Sequence, residues 1–306
     1  MIIDIDTIYS FHQLGERNNQ EDSRYPDIDV PNTDVAAFVV CDGVGGCEKG
    51  EIASSAVCKR IGELLSLHKN TDVFTDADFQ NILNQAYKAL DDISDESNEG
   101  MGTTLIFVIF HSNGVLVAHI GDSRIYQIRP EEGIIYRSED HSLVNALLRS
   151  GNISPDEVKN HSKGNIITRC MGANDGTRGK DDATVMNLQD IAPGDYFLLC
   201  TDGVTGTVDD EDLLDLYSSD KTDLDKYQIL ADRCKDSSDN NTAIQIHVGL
   251  VTIDAQENIN EEEVDEDKAI VRTQKLTKKV TSVHEVSASS ENIQSKIKSF
   301  LYRLFK

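Results

Sequence analysis

Carboxylates at the ends of apolar strands are the residues of this sequence best suited to chemistry. Four aspartates occupy such positions, and three of them have a glycine beside them: Asp42, Asp122, Asp202 and Asp239. Glycine lets the backbone approach closely and exposes its carbonyl oxygen. Carboxylates with a nearby carbonyl and room for water are the ligands that Mg²⁺ and Mn²⁺ prefer. Several aspartates in one place could not all stay ionised without a cation, so a metal is the natural counter-charge.

A single Asp-Gly after a strand has a simpler interpretation, which is a turn. The four strand-end aspartates together, with the adjacent acids Glu21 and Asp22, favour a metal site instead. The acidic run of residues 261–267 differs because no apolar strand flanks it, and it is typical of a solvated tail.

The elements that must position these aspartates alternate between strand and helix patterns. Apolar residues at helical spacing predict helices over 50–65 and 76–90. Apolar runs and alternation predict strands at 35–41, 103–110, 115–120, 125–129, 196–200 and 244–250. Strands joined by hairpins, with two long helices early in the chain and others late, favour antiparallel sheets covered by helices over a doubly wound parallel sheet.

Composition and charge argue against several classes of protein. The chain has 306 residues, with 29 Lys and Arg against 54 Asp and Glu, so its formal charge is −25. Such a surface would repel a nucleic acid, so no nucleic-acid partner is expected. No apolar run approaches the roughly 20 residues that span a bilayer, and no basic segment precedes an apolar one at the N-terminus, so we expect neither a membrane span nor a secretory signal. The six cysteines form no C-x-x-C pair, which is typical of reduced thiols in the cytoplasm.

Charge patterning divides the chain into three predicted parts. Residues 1–254 form the predicted domain, and residues 255–290 are an acidic and then basic stretch typical of a flexible linker. Residues 291–306 predict a basic amphipathic helix, which suits an anionic membrane surface or a groove on a partner protein. The alternative is a short helix that packs against the domain or frays in solution. We expect a cytoplasmic monomer, which would be a peripheral membrane protein if this helix binds the membrane surface.

Seven short motifs occur in the order and with the spacing of one known family. They are Gly15–Asp22, Asp42–Gly46, Gly102–Thr104, Gly121–Arg124, Asp140–Ser142, Cys200–Gly203 and Asp239–Thr242. From about residue 7 to 252 the pattern resembles the metal-dependent protein phosphatases (PPM, the type 2C serine/threonine phosphatases) of bacterial type. The resemblance implies an α+β fold, a four-layer α-β-β-α sandwich of two antiparallel sheets flanked by helices, with a binuclear Mg²⁺ or Mn²⁺ centre at one end. It implies that metal-activated water hydrolyses phosphoserine and phosphothreonine in proteins.

The resemblance also implies a ligand set of seven residues: Glu21, Asp22, Asp42, Gly43, Asp122, Asp202 and Asp239. Asp42 would bridge both metals, and Gly43 would give its backbone carbonyl to one of them. Asp202 and Asp239 would complete the ligands of the other metal. The first two acids of the set would bind directly or through water, and Asp122 would hold a third metal.

Two further residues have proposed roles with open alternatives. Arg17 matches the arginine that holds the substrate phosphate, since a guanidinium can bind two phosphate oxygens at once; the alternative is an ion pair with neighbouring acids. His141 is the candidate that would protonate the leaving oxygen, since histidine titrates near neutrality; the alternative is a hydrogen-bonded histidine that anchors its loop. Two positions depart from the common pattern. Val44 stands where animal-type members have histidine, as is common in bacterial-type members, and Gln20 stands where many bacterial members have asparagine.

The leading hypothesis is therefore a phosphatase that needs Mg²⁺ or Mn²⁺ and acts on phosphorylated proteins. The alternative is a catalytically silent domain of the same fold, used as a binding or signalling module, which would be expected if the bridging aspartate or the arginine were missing. An unrelated calcium-binding protein is disfavoured because the sequence has no twelve-residue D-x-D-x-D-G loop.

Overall fold

The computed structural model describes residues 1–27, 35–44, 49–94, 100–154, 157, 166–173 and 180–253. The unit from Met1 to Ile253 is compact. The predicted linker and C-terminal helix, residues 255–306, lie outside the described residues, so their predicted roles stay predictions.

Five antiparallel strands form the first sheet. In sheet order they are β1 (Ile2–Gln13), β12 (Asn241–Thr252), β11 (Tyr196–Cys200), β7 (Arg124–Arg129) and β8 (Gly133–Arg137). The long edge strand β1 pairs with β12 along almost its whole length, from Ile2 opposite Thr252 to Gln13 opposite Asn241.

A second antiparallel sheet stacks on the first. In sheet order it contains β10 (Thr184–Leu188), β6 (Gly114–Ile120), β5 (Leu105–His111), β3 (Ala37–Asp42) and β2 (Asp22–Tyr25). β5 and β6 form a hairpin through Asn113–Gly114, where Gly114 has the positive φ of 127° that favours glycine. A small separate pair joins β4 (Gly102–Thr103) to β9 (Met171–Gly172).

Six described helices accompany the sheets. They are α1 (Gly50–Leu65), α2 (Asp76–Ile93), α3 (Leu143–Arg149), α4 (Asp202–Thr205), α5 (Asp210–Tyr217) and α6 (Asp223–Cys234). α2 begins at a capping box in which the side chains of Thr75 and Asp78 each accept a backbone N–H of the other residue. No helix in the described part of the chain combines the length and the hydropathy of a membrane span.

Three apolar cores hold four layers together. The central core lies between the sheets and contains Phe38, Phe110 and Phe197, whose rings pack edge to face. A second core packs α1 and α2 on the outer face of the second sheet, and a third packs α5 and α6 on the outer face of the first. The predicted α+β sandwich of two antiparallel sheets between helical layers is confirmed. The alternation of side chains along each strand explains this layering. On β11, for example, Phe197 and Leu199 face the central core, while Leu198 and Cys200 face the third core.

Candidate metal centre

The ends of four strands bring predicted metal ligands to one end of the sandwich. β2 pairs with β3 so that Asp22 lies opposite Asp42. β11 leads through Thr201 into α4, whose first residue is Asp202. Asp239 lies two residues before the start of β12, the strand next to β11. Both sheets therefore contribute acids to the same place.

These carboxylates lie close enough to oppose one another's ionisation. Burial raises the pKa of Asp42 well above its usual range, and the charges of Asp22, Asp202, Asp122 and Asp239 raise it further. Burial, and then the charge of Asp202, raise the pKa of Asp122 to about 7. Because five acids share one partly buried site, a compensating cation would stabilise their ionised forms.

The surroundings of Asp22 fit a divalent cation most directly. Its Oδ2 accepts hydrogen bonds from Thr242 Oγ1 at 2.7 Å and Thr201 Oγ1 at 3.0 Å, which link the second sheet to the first. Its Oδ1 is buried and has no hydrogen-bond partner within the described ranges. Burial raises the pKa of Asp22 to about 7 in spite of the two threonine bonds. A buried oxygen of this kind among acids fits a divalent cation.

Gly43 lies where the end of β3 meets the start of α1. Its N–H donates to the Glu21 carbonyl at 3.0 Å, and a Cβ at this position would lie 2.5 Å from the carbonyl carbon of Gly50. The Glu21 N–H in turn donates to Asn240 Oδ1 at 2.8 Å. Only glycine fits such a close approach of two backbones, so this contact holds Glu21 and Asp42 beside each other.

Asp122 lies in the turn between β6 and β7 and is tied to Asp42 through Thr104. Thr104 Oγ1 accepts the Asp42 N–H at 3.0 Å and lies 2.8 Å from Ser123 Oγ. The Thr104 N–H donates to the Asp42 carbonyl at 2.8 Å. One threonine therefore connects the backbone of Asp42, the proposed bridging ligand, to Ser123, the residue after the proposed ligand of the third metal.

Arg17 forms an ion pair with Asp239, with 2.6 Å between Nη2 and Oδ2. Asp239 Oδ1 also accepts the N–H of Asn240 at 2.8 Å. An ion pair was the alternative expected for Arg17, but its partner is Asp239 rather than one of the acids beside it in sequence. The side chain of Arg17 is 45% exposed, so its other guanidinium nitrogens remain accessible to a ligand, and the phosphate role stays a prediction.

The contacts of His141 favour the anchoring alternative over a general acid. His141 is buried, its Nδ1 accepts the Gly121 N–H at 3.2 Å, and its Nε2 lies 2.9 Å from Thr184 Oγ1. Burial and the neighbouring His119 and Arg169 lower its pKa to about 4. A neutral ring with both nitrogens engaged is poorly suited to deliver a proton near neutral pH.

Four positioning residues were not predicted as such from the sequence, although they lie within the family motifs: Thr104, Thr201, Asn240 and Thr242. Gln20 has a similar part, since its Oε1 accepts the Asp22 N–H at 3.1 Å and its Nε2 donates to the Gln13 carbonyl at 3.0 Å. Val44 is half-buried, and its N–H donates to the Gly102 carbonyl at 3.0 Å. Membership of the motifs was the signal that could have identified those four residues.

A second group of potential ligands lies between β1, β12 and α6. His247 Nδ1 is 2.9 Å from Asp223 Oδ2 and 3.4 Å from Asp6 Oδ2. Among the described residues, this is the one set of three such side chains with all ligand atoms within 4.8 Å of one another. Asp223 already accepts hydrogen bonds from Thr7 and Tyr196, so an ion-paired network accounts for this second group.

Comparison with known proteins matches this arrangement to one family. The family model described as protein phosphatase 2C matches residues 15–233. Protein phosphatase PhpP of Streptococcus pneumoniae is 34% identical over 221 residues, which are 70% of this chain and 85% of that protein.

Solved structures agree with the sequence comparison. The Mycobacterium tuberculosis serine/threonine phosphatase PstP/Ppp has a TM-score of 0.67 at 25% identity, covering 82% of this chain and 100% of that one. The catalytic domain of the serine/threonine protein phosphatase PstP in complex with two manganese ions has a TM-score of 0.64 at 26% identity, covering 81% of this chain and 100% of that one. The chain therefore belongs to the protein phosphatase 2C family and is a metal-dependent protein phosphatase.

Proposed function

We propose that the chain hydrolyses phosphoserine and phosphothreonine in cytoplasmic proteins, with Mg²⁺ or Mn²⁺ held at the end of the sandwich. Two ions would be bound by Asp42, the Gly43 carbonyl, Asp202 and Asp239, with Glu21 and Asp22 acting directly or through water. Asp122 would hold a third. The observation that carries the proposal is that four aspartates, drawn from both sheets, lie close enough to Asp42 for their charges to raise its pKa: Asp22, Asp122, Asp202 and Asp239.

The bound ions would supply charge neutralisation for the phosphate dianion and an activated water. The chain's own residues would do the positioning. Thr201 and Thr242 orient Asp22, while Asn240 holds the backbone of Glu21. Arg17, at the partly exposed edge of the centre, would bind two phosphate oxygens through its planar guanidinium.

A silent binding module of the same fold is the alternative, and the presence of Asp42 and Arg17 disfavours it. The test uses the full chain with a phosphothreonine peptide and with p-nitrophenyl phosphate, after removal of metal by EDTA and after addition of MnCl₂ or MgCl₂. We expect turnover only with added metal. Asp42→Asn and Asp239→Asn should each lower kcat at least about 100-fold, on the scale of losing a principal electrostatic element.

The matched control is Asp215→Asn, which makes the same change of charge at an exposed position on α5. It should leave turnover unaltered. Turnover that persists without metal, or an Asp239→Asn protein with full activity, would contradict the proposed function.

A further inference from the structure

We propose that His141 is a positioning residue for Asp122, and that it couples residues 166–168 to that carboxylate. The inference rests on the proposed function, in which Asp122 is a metal ligand. It differs from the general-acid role because His141 would act through the backbone next to Asp122 and not on the substrate.

His141 binds both backbone groups of Gly121, the residue before Asp122. Its own N–H donates to the Gly121 carbonyl at 2.8 Å, and its Nδ1 accepts the Gly121 N–H at 3.2 Å. Gly121 has a φ of 106°, and a Cβ there would lie 2.6 Å from Thr104 Cγ2. The backbone that leads into Asp122 is therefore held between His141 on one side and Thr104 on the other.

Asp140 restrains the other side of Asp122. Its two carboxylate oxygens accept from Arg124 Nε at 2.7 Å and Nη2 at 2.8 Å, a bidentate pair. Ser123, between Asp122 and Arg124, contacts Thr104. The consecutive residues Asp140 and His141 thus hold positions 124 and 121, on either side of Asp122.

The same histidine binds a segment that is distant in sequence. The His141 carbonyl accepts the Thr168 N–H at 2.7 Å, and its neighbour Ser142 forms a β-bridge with Ile167. The His141 Nε2 lies 2.9 Å from Thr184 Oγ1 on β10. A shift of residues 166–168 would therefore act on the backbone at Gly121 through one residue.

The hydrogen bond from Gly121 indicates which nitrogen of the neutral His141 ring carries the proton. Nδ1 accepts an amide N–H, so a neutral ring carries its proton on Nε2, which lies 2.9 Å from Thr184 Oγ1 and 3.5 Å from Arg169 Nη1. Burial lowers the pKa of His141 to about 4, helped by His119, Arg169 and Arg149 and opposed by Asp181. The ring is then neutral under ordinary conditions, as the Gly121 bond requires.

The test measures Mn²⁺ binding by calorimetry and by electron paramagnetic resonance, using the full chain with His141→Ala, His141→Asn and His141→Gln. An asparagine amide oxygen can stand near the place of Nδ1, whereas a glutamine amide reaches towards the place of Nε2. We expect His141→Ala and His141→Gln to weaken one Mn²⁺ site about 10-fold or more, the usual scale for a residue that orients a ligand. His141→Asn should restore most of that affinity. In an Asp122→Asn background, His141→Ala should cause no further loss.

Two substrates separate positioning from proton transfer. A missing general acid harms a phosphoserine peptide, with its poor leaving group, far more than p-nitrophenyl phosphate, with its good one. Positioning predicts that His141→Ala lowers turnover of both by the same factor. Unchanged Mn²⁺ affinity in His141→Ala, or a loss confined to the phosphopeptide, would overturn the inference while leaving the proposed function intact. Wild-type protein that binds no Mn²⁺ and hydrolyses neither substrate would overturn both.

Discussion

Arg17 Nη2 lies 2.6 Å from Asp239 Oδ2, although 222 residues separate the two in sequence. Both side chains are partly exposed, at 45% and 33%, so the pair borders solvent at the edge of the centre. Asp239 is at once a proposed metal ligand and the partner of the proposed phosphate-binding arginine. The proposed metal site and the proposed phosphate site would therefore meet at this one carboxylate.

Replacing Arg17 should separate those two functions. Arg17→Ala should raise KM for a phosphopeptide about 10-fold or more, because the bidentate contact to phosphate is lost. Mn²⁺ affinity should not fall, since Asp239 loses a competing partner. Steady-state kinetics and Mn²⁺ titration of the same preparation measure both. Arg233→Ala is the matched control, because Arg233 is also 45% exposed and paired with an aspartate, Asp212. A fully active Arg17→Lys protein would disprove a bidentate role.

The metal-free protein should lose stability as pH rises. The pKa values of Asp22 and Asp122 are raised to about 7 in the folded chain, above the ordinary value of about 4. The folded state then holds more protons than the unfolded state, so the free energy of unfolding falls between about pH 4 and pH 8. Urea unfolding in EDTA should show this fall, and Asp122→Asn should reduce it by roughly 4 kcal/mol. Saturating Mn²⁺ should raise stability at pH 8, because it binds the ionised carboxylates. Equal slopes for wild type and Asp122→Asn would argue against the buried cluster.

The two threonines that hold Asp22 should matter for stability. Thr242 is fully buried, and its hydroxyl donates to Asp22 Oδ2 at 2.7 Å. Thr242→Val keeps the shape of the side chain but removes this bond to a charged group, so it should lower the free energy of unfolding by about 1.5–3 kcal/mol. The measurement is urea unfolding in the presence of Mn²⁺. Thr252→Val, at an exposed position of the same strand, should change little. If Thr242→Val lowered the free energy of unfolding no more than Thr252→Val does, the hydrogen bond to Asp22 would not be stabilising.

Removing the C-terminal segment should separate catalysis from docking. Residues 268–306 hold nine Lys and Arg against two acids, and residues 291–306 predict an amphipathic helix. Truncation after residue 254 should leave kcat on a small phosphate ester within about a factor of three, a change below 1 kcal/mol. It should abolish binding to anionic phospholipid vesicles in a sedimentation assay, with neutral vesicles as the control. A truncated chain that loses the chemical step would show that the tail belongs to the domain.

Local sequence patterns determined most of the elements and the identity of the acids. The predicted helix over 50–65 and the predicted strand over 196–200 coincide with α1 and β11, since each has the apolar periodicity of its element. The motifs also led to the strand-end aspartates. The first strand was not predicted, because Asp4 and Asp6, which are exposed at the sheet edge, interrupt its apolar pattern. This strand is held in place by its pairing with β12, the last strand of the domain in chain order.

Only the tertiary structure decided which side chains hold those acids. Asp22 is bound by Thr201 and Thr242, which are 179 and 220 residues away, and Arg17 faces Asp239 rather than one of the acids beside it in sequence. His141, a candidate for acid catalysis by residue type, is buried with both nitrogens engaged. Periodicity specifies which face of a strand is apolar, whereas these contacts depend on which strands pair, in what register, and how the two sheets stack. Those choices arise from packing across the whole domain, so spacing along the chain could not predict them.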